Sequence, residues 1–84
     1  MKNKTLFSIR LPAVNKSFDL WIPNELSIYE ATKLVQTLLE EREARHFKAS
    51  ASVSLYLESE SEELEVDKLI GEYDFVDGTK LVLI

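Results

Sequence analysis

The chain has 84 residues, with ten basic and fifteen acidic side chains, one His, no Cys, two Gly and two Pro, and 45% of it is hydrophobic. This is the size and composition of one globular domain, expected to bury roughly 60–65% of its unfolded surface, and the missing cysteines exclude a disulfide scaffold, thiolate zinc sites and a Cys nucleophile. The charge is uneven: residues 1–57 hold eight basic and six acidic side chains, residues 58–84 two basic and nine acidic, which disfavours nucleic acid and anionic membrane surfaces as partners.

No apolar run reaches the roughly 18 residues of a membrane span. The basic start, Met1-Lys2-Asn3-Lys4-Thr5, is followed by an apolar stretch that Ser8 and Arg10 interrupt, so it does not read as a signal peptide. The expectation is a cytoplasmic protein in a reducing compartment.

Leu6 to Leu11 alternates, with Phe7, Ile9 and Leu11 on one face, which predicts a strand with one buried side. Pro12 to Lys16 reads as a turn. Ser17 to Ile22 alternates again, with Phe18, Leu20 and Ile22 together, and Pro23 ends it. Two strands this close in sequence are expected to pair as an antiparallel hairpin.

The apolar period then lengthens. Ser27 and Glu30 fit a capping box, with Leu26 and Ala31 at the positions of a hydrophobic staple. Ile28, Ala31, Leu34, Val35, Leu38 and Leu39 recur in steps of three and four, which predicts a helix from Ile28 to about Arg45, roughly 27 Å long. Lys33, Gln36, Thr37, Glu40 and Glu43 fall on its opposite face, and Glu41 and Arg45 form a favourable pair one turn apart. In this phase Leu20 and Leu38 face each other across the interface of sheet and helix.

Ser52 to Leu57 is a third alternating strand, with Val53, Leu55 and Leu57 inward. Residues 58–65 form an acidic loop, Leu64 to Val66 a very short strand, and Lys68 to Phe75 a helical turn and loop anchored by Leu69 or Ile70 with Tyr73 and Phe75. Asp77-Gly78 is a turn signal, and Thr79 to Ile84 is the last strand, with Leu81 and Leu83 on one face. One long helix covering one face of a mixed sheet makes the fold α+β. The first and last strands, the most apolar, are expected side by side, central and parallel through a right-handed crossover. This is the β-grasp, with four to five strands and a single domain over 1–84.

On the stretch Leu69-Ile70-Gly71-Glu72-Tyr73-Asp74-Phe75-Val76-Asp77-Gly78-Thr79-Lys80-Leu81-Val82-Leu83 the chain resembles ubiquitin-like proteins: a Leu, a Tyr soon after it, an apolar residue, a polar turn and a final alternating strand. The resemblance implies that Tyr73 ties its loop to neighbouring backbone. Length, the Asp-Gly turn and the end at the last strand are similar to the small YukD/EsaB-type bacterial proteins of type VII secretion. That resemblance implies a non-catalytic, cytoplasmic accessory or regulatory component that works through protein–protein interaction with components of a secretion machine. A longer helix and a longer acidic loop at 58–65 set this chain apart from them. The chain ends Leu81-Val82-Leu83-Ile84 rather than in the Gly-Gly tail of modifiers and sulfur carriers, so conjugation and sulfur transfer are not expected. The alternatives are an interaction domain of a larger protein, or a modifier or sulfur carrier whose tail has been lost.

No enzyme site, cofactor or metal is expected. The lone His46, near the predicted helix end, has neither a second ligand nor a nucleophile's elbow motif beside it, and the two glycines are too few for a phosphate loop. Glu58, Glu60, Glu62, Glu63, Glu65 and Asp67 lack the spacing of a calcium loop. They read as a solvated loop or as a docking patch for a basic partner, with Ser59 and Ser61 as weak phosphoacceptor candidates.

The alternate strand positions face away from the helix. Leu6, Trp21, Tyr56, Val82 and Ile84 are thereby expected to share one open sheet face as a partner-binding patch, a face ubiquitin-like domains commonly use, or as a homodimer contact. In the other reading Trp21 folds over the sheet edge.

Overall fold

The computed structural model describes residues 3–12, 15–42, 54–60 and 62–84. The expected continuation of the helix to Arg45 with its Glu41 pairing, Glu43, His46, Ser52, Val53 and Ser61 all lie outside the described residues.

Alternation of Phe7, Ile9 and Leu11 produces a strand that buries those three side chains. This strand, β1 (Lys4–Leu11), starts two residues before the first apolar position, with Thr5 also buried and its hydroxyl donating to Asn24 Oδ1 at 2.7 Å. It pairs antiparallel with β2 (Lys16–Pro23), Leu6 opposite Trp21 and Phe7 opposite Leu20. Asn15 takes a positive φ of 51° in the connecting turn, which asparagine tolerates better than most residues.

The helix α1 (Ile28–Arg42) begins at the expected capping box. The Glu30 amide donates to Ser27 Oγ, and the Ser27 amide donates to Glu30 Oε1, each at 3.0 Å. Two donors at the helix start are thereby satisfied, and the Ile28 and Tyr29 amides donate to the Lys68 and Val66 carbonyls at 2.8 and 2.9 Å. Ser27→Ala is expected to lower stability by about 1 kcal/mol, read by urea denaturation; an unchanged midpoint would mean the cap is idle.

The buried stripe of α1 is Ile28, Ala31, Thr32, Val35, Gln36 and Leu39, which departs from the sequence expectation in two places. Gln36, assigned to the solvent face, is only 5% exposed. Leu34 and Leu38, assigned to the core, are half-buried and lie outside the core cluster. The helix is rotated about its axis toward Thr32 and Gln36. Thr32 can be buried because its hydroxyl donates to the Ile28 carbonyl at 2.7 Å. Leu20 packs against the core half-buried, and its expected partner Leu38 is half-buried and, among the described residues, not part of that core.

After the helix come β3 (Leu55–Leu57) and β4 (Glu62–Glu63), so the short strand falls two residues before the predicted Leu64–Val66. Leu64 turns into the core while Val66 stays exposed. A 3₁₀ turn follows at Ile70–Tyr73 and buries Ile70, leaving Leu69 outside. Tyr73 takes the implied role: its hydroxyl accepts the Glu65 amide at 2.8 Å.

The last strand, β5 (Thr79–Leu83), runs parallel to β1 and antiparallel to β3. The sheet order is β2-β1-β5-β3-β4, the mixed five-stranded β-grasp expected. One face is covered by α1, with Phe7, Ile9, Ile22, Val35, Leu55, Ile70 and Leu81 fully enclosed between them. Gly78 leads into β5 at φ 90°, a left-handed conformation that suits glycine, and its amide donates to the Leu6 carbonyl at 2.8 Å.

Candidate interaction surface

With α1 on one face, the other face of the sheet is left uncovered, and strand register orders its side chains into rows. In the first row Leu6 stands opposite Trp21, and the latter is 52% exposed. The second row is polar: Ser8 lies between Asp19 on β2 and Lys80 on β5, and the Glu58 amide donates to the Lys80 carbonyl at 3.1 Å. The third runs Ser17, Arg10, Val82, Tyr56 and Glu63. Ile84, 65% exposed, comes last, bonded through its backbone to Ser54 in both directions.

Leu6, Trp21, Tyr56, Val82 and Ile84 therefore share the outer face, as expected, but as two groups. Leu6 and Trp21 form one, and Tyr56, Val82 and Ile84 the other. The row of Asp19, Ser8, Lys80 and Glu58 separates them. Sequence parity fixes which face a side chain takes; it does not give the order of rows across strands, so this break was not legible.

Val82 departs further from expectation, because it points outward yet is only 4% exposed. Its neighbours in register are Arg10 and Tyr56. Arg10 Nε donates to Glu58 Oε1 at 2.9 Å, a contact between β1 and the end of β3 that crosses β5. Arg10 on β1 and Tyr56 on β3 flank Val82 in register, which places a long amphipathic side chain on each side of it. Arg10, Tyr56, Glu58, Val82 and Ile84 line one open hollow of about 360 Å³. A partly exposed ion pair of this kind adds at most about 1 kcal/mol. Tyr56 is half-buried, so the accessible apolar surface of this group is mainly Ile84 and part of Tyr56.

Among the described residues no group of three or more His, Asp or Glu side chains converges as a metal site, and no helix is long and apolar enough to cross a membrane. In the acidic segment Lys68 lies 3.3 Å from Glu65 and 5.0 Å above the Tyr73 ring. The hydrogen bond to Glu65, then its charge, keeps Lys68 protonated to higher pH than a free lysine.

No family model matches the sequence, and no curated protein matches it. Solved structures do. The chain superposes with a TM-score of 0.81 at 12% identity on part of the MycP5-free ESX-5 inner membrane complex, covering 99% of this chain and 21% of that one. It thus spans about a fifth of that larger chain. The ubiquitin-like domain of EccD5 from Mycobacterium xenopi is similar at a TM-score of 0.71 and 18% identity, covering 99% of this chain and 94% of that one. The ubiquitin-like domain of Plasmodium falciparum Dsk2 is similar at 0.72 and 12%, covering 95% of each. At these identities the likeness establishes the fold, a ubiquitin-like β-grasp.

Proposed function

We propose that this chain is a non-catalytic ubiquitin-like interaction protein of a bacterial type VII secretion system, an accessory or regulatory component of the YukD/EsaB kind in the cytoplasm. The observation that carries the reading is the uncovered sheet face, with Trp21 half-exposed beside Leu6. Support for the secretion setting comes from similarity to EccD5's ubiquitin-like domain, to part of an ESX-5 complex, and to the ubiquitin-like domain of the Mycobacterium tuberculosis type VII secretion system protein ECCD1, at a TM-score of 0.64 and 18% identity over 99% of each chain. The face offers a large aromatic anchor at one corner, a row of charges, and Tyr56 with Ile84 at the other. Aromatic anchors that become buried on binding carry much of the energy in protein interfaces, and interspersed charges fix orientation.

Trp21→Ala is expected to weaken association with the secretion machine's components by about 2 kcal/mol or more, roughly thirty-fold. Folding stability should fall by less than about 1 kcal/mol, because Trp21 lies outside the core. Co-purification of tagged wild-type and variant chains with the type VII membrane components of the same host, beside chemical denaturation of both, reads the two halves. A variant that unfolds, or that co-purifies as well as wild type, would make Trp21 structural or idle. Gel filtration of the two chains at several concentrations shows whether Trp21 instead joins two copies of this chain.

A second reading is an interaction domain within a larger secretion component. The match covering about a fifth of an ESX-5 chain favours it. Sequencing the gene's flanks and measuring the intact mass of the native protein separates the two.

A further inference from the structure

The sheet ends in two edges, and they are built differently. One edge, β4, is two residues long and both are Glu; shortness and charge keep an edge from pairing with another chain. The other edge, β2, runs for eight residues, with Lys16 at its start and Asp19 as its only other charge.

Hydrogen-bond phase fixes which backbone groups of β2 face outward. The Asn24 amide donates to the Asn3 carbonyl at 2.8 Å, continuing the register that sets Lys4 opposite Pro23. Opposed residues of an antiparallel pair alternate between bonded and non-bonded. The bonded pairs are therefore Thr5 with Ile22, Phe7 with Leu20 and Ile9 with Phe18. The other side of β1 agrees, because the Leu6 carbonyl accepts the Gly78 amide from the β5 side. The amides and carbonyls of Ser17, Asp19 and Trp21 thus point away from β1, about 6.8 Å apart along the strand. None of these three amides has a hydrogen-bond partner among the described residues. Pro23, next in the same phase, has no amide to leave unpaired, which is where an edge strand accepts a proline.

A row of alternating donors and acceptors at this spacing matches another extended backbone. On the helix side of the edge, Phe18 and Leu20 pack against the core yet stay half-buried. A second copy of the chain fits poorly here. A twofold pairing centred on Asp19 would engage all three amides of each copy, but it opposes the two Asp19 carboxylates, which is destabilising. Shifting that pairing by two residues sets Ser17 against Pro23, or Trp21 against Asn15 in the turn. Either shift loses bonds.

We propose that the β2 edge takes up an extended segment of a partner protein as a further strand, antiparallel to β2. The backbone of that segment bonds to Ser17, Asp19 and Trp21. Its apolar alternate side chains cover Phe18 and Leu20. This site does not rest on the sheet-face reading, since it uses the backbone of β2, and loss of an edge amide leaves the Trp21 side chain in place.

The test uses the whole chain and a fluorescein-labelled peptide of about nine residues, alternating Thr and Val between terminal Lys residues, followed by anisotropy. With Val placed over Phe18 and Leu20, the Thr residues carry the backbone groups that face β2. N-methylation of the Thr amides is expected to weaken binding at least ten-fold, and N-methylation of the Val amides to leave it within about three-fold. Asp19→Pro, which removes the central edge amide but no bond to β1, should weaken the parent peptide about ten-fold. Asp19→Ala, which keeps that amide, should not. Circular dichroism checks that both variants are folded; should Asp19→Pro fail to fold, the methylated peptides and amide exchange decide. Saturating peptide should slow exchange at Ser17, Asp19 and Trp21 more than at Phe18 and Leu20. No binding of the parent peptide, equal binding of the two methylated peptides, or full binding by folded Asp19→Pro overturns the proposal. So does slowed exchange confined to other residues. A wild-type dimer in gel filtration that Asp19→Pro abolishes would make a second copy the occupant and overturn it as well.

Discussion

Phe7→Ala should cost about 3–5 kcal/mol, a large share of the roughly 4–12 kcal/mol expected for a domain of this size. Phe7 is fully buried in the middle of β1 and meets Phe75 edge-to-face at 5.4 Å. Truncation removes its own apolar area and strips Phe75 of its inner support. Phe75 in turn stacks on Tyr73, whose hydroxyl holds the Glu65 amide. The damage should therefore spread to the loop before β5, seen as faster amide exchange at Glu65 than in wild type. A loss below about 1.5 kcal/mol in urea denaturation would mean that Phe7 is not central to the core.

The second large effect tests the phase of the helix. Leu39→Ala should cost about 2–5 kcal/mol, while Leu38→Ala should cost less than about 1.5 kcal/mol. Leu39 is buried in the core cluster, and Leu38, one residue earlier, is half-buried and outside it. Paired denaturation curves decide the matter. Equal costs, or a larger cost at Leu38, would rotate the helix back to the phase its leucines alone suggest.

That phase shows where sequence reasoning gives out. Leu34, Leu38 and Leu39 pull an apolar stripe toward themselves when residues are sorted by hydrophobicity. Thr32 and Gln36 pull the other way once packed, because a hydroxyl bonded to its own helix can be buried at little cost. Local rules held where the signal is local. The capping box formed with both of its bonds. Tyr73 tied its loop as the ubiquitin-like resemblance implied. The alternations at Phe7–Leu11 and Leu81–Leu83 put the expected side chains inward.

The candidate surface was legible to the same depth. Parity placed Leu6, Trp21, Tyr56, Val82 and Ile84 on the outer face. The break between the two apolar groups depends on register between strands far apart in sequence. Val82 is flanked in register by Arg10 and Tyr56 from the two neighbouring strands, and Arg10 is bonded to Glu58, 48 residues away. No spacing rule within one strand carries that information.

Whether the uncovered sheet face serves type VII secretion is decided most directly in the source organism. Export of a type VII substrate is measured in a strain deleted for this gene and complemented with wild-type or Trp21→Ala protein at matched levels. Deletion should reduce export, wild type should restore it, and Trp21→Ala should not. Undiminished export in the deletion strain, or full rescue by Trp21→Ala, would contradict a secretion role for this face.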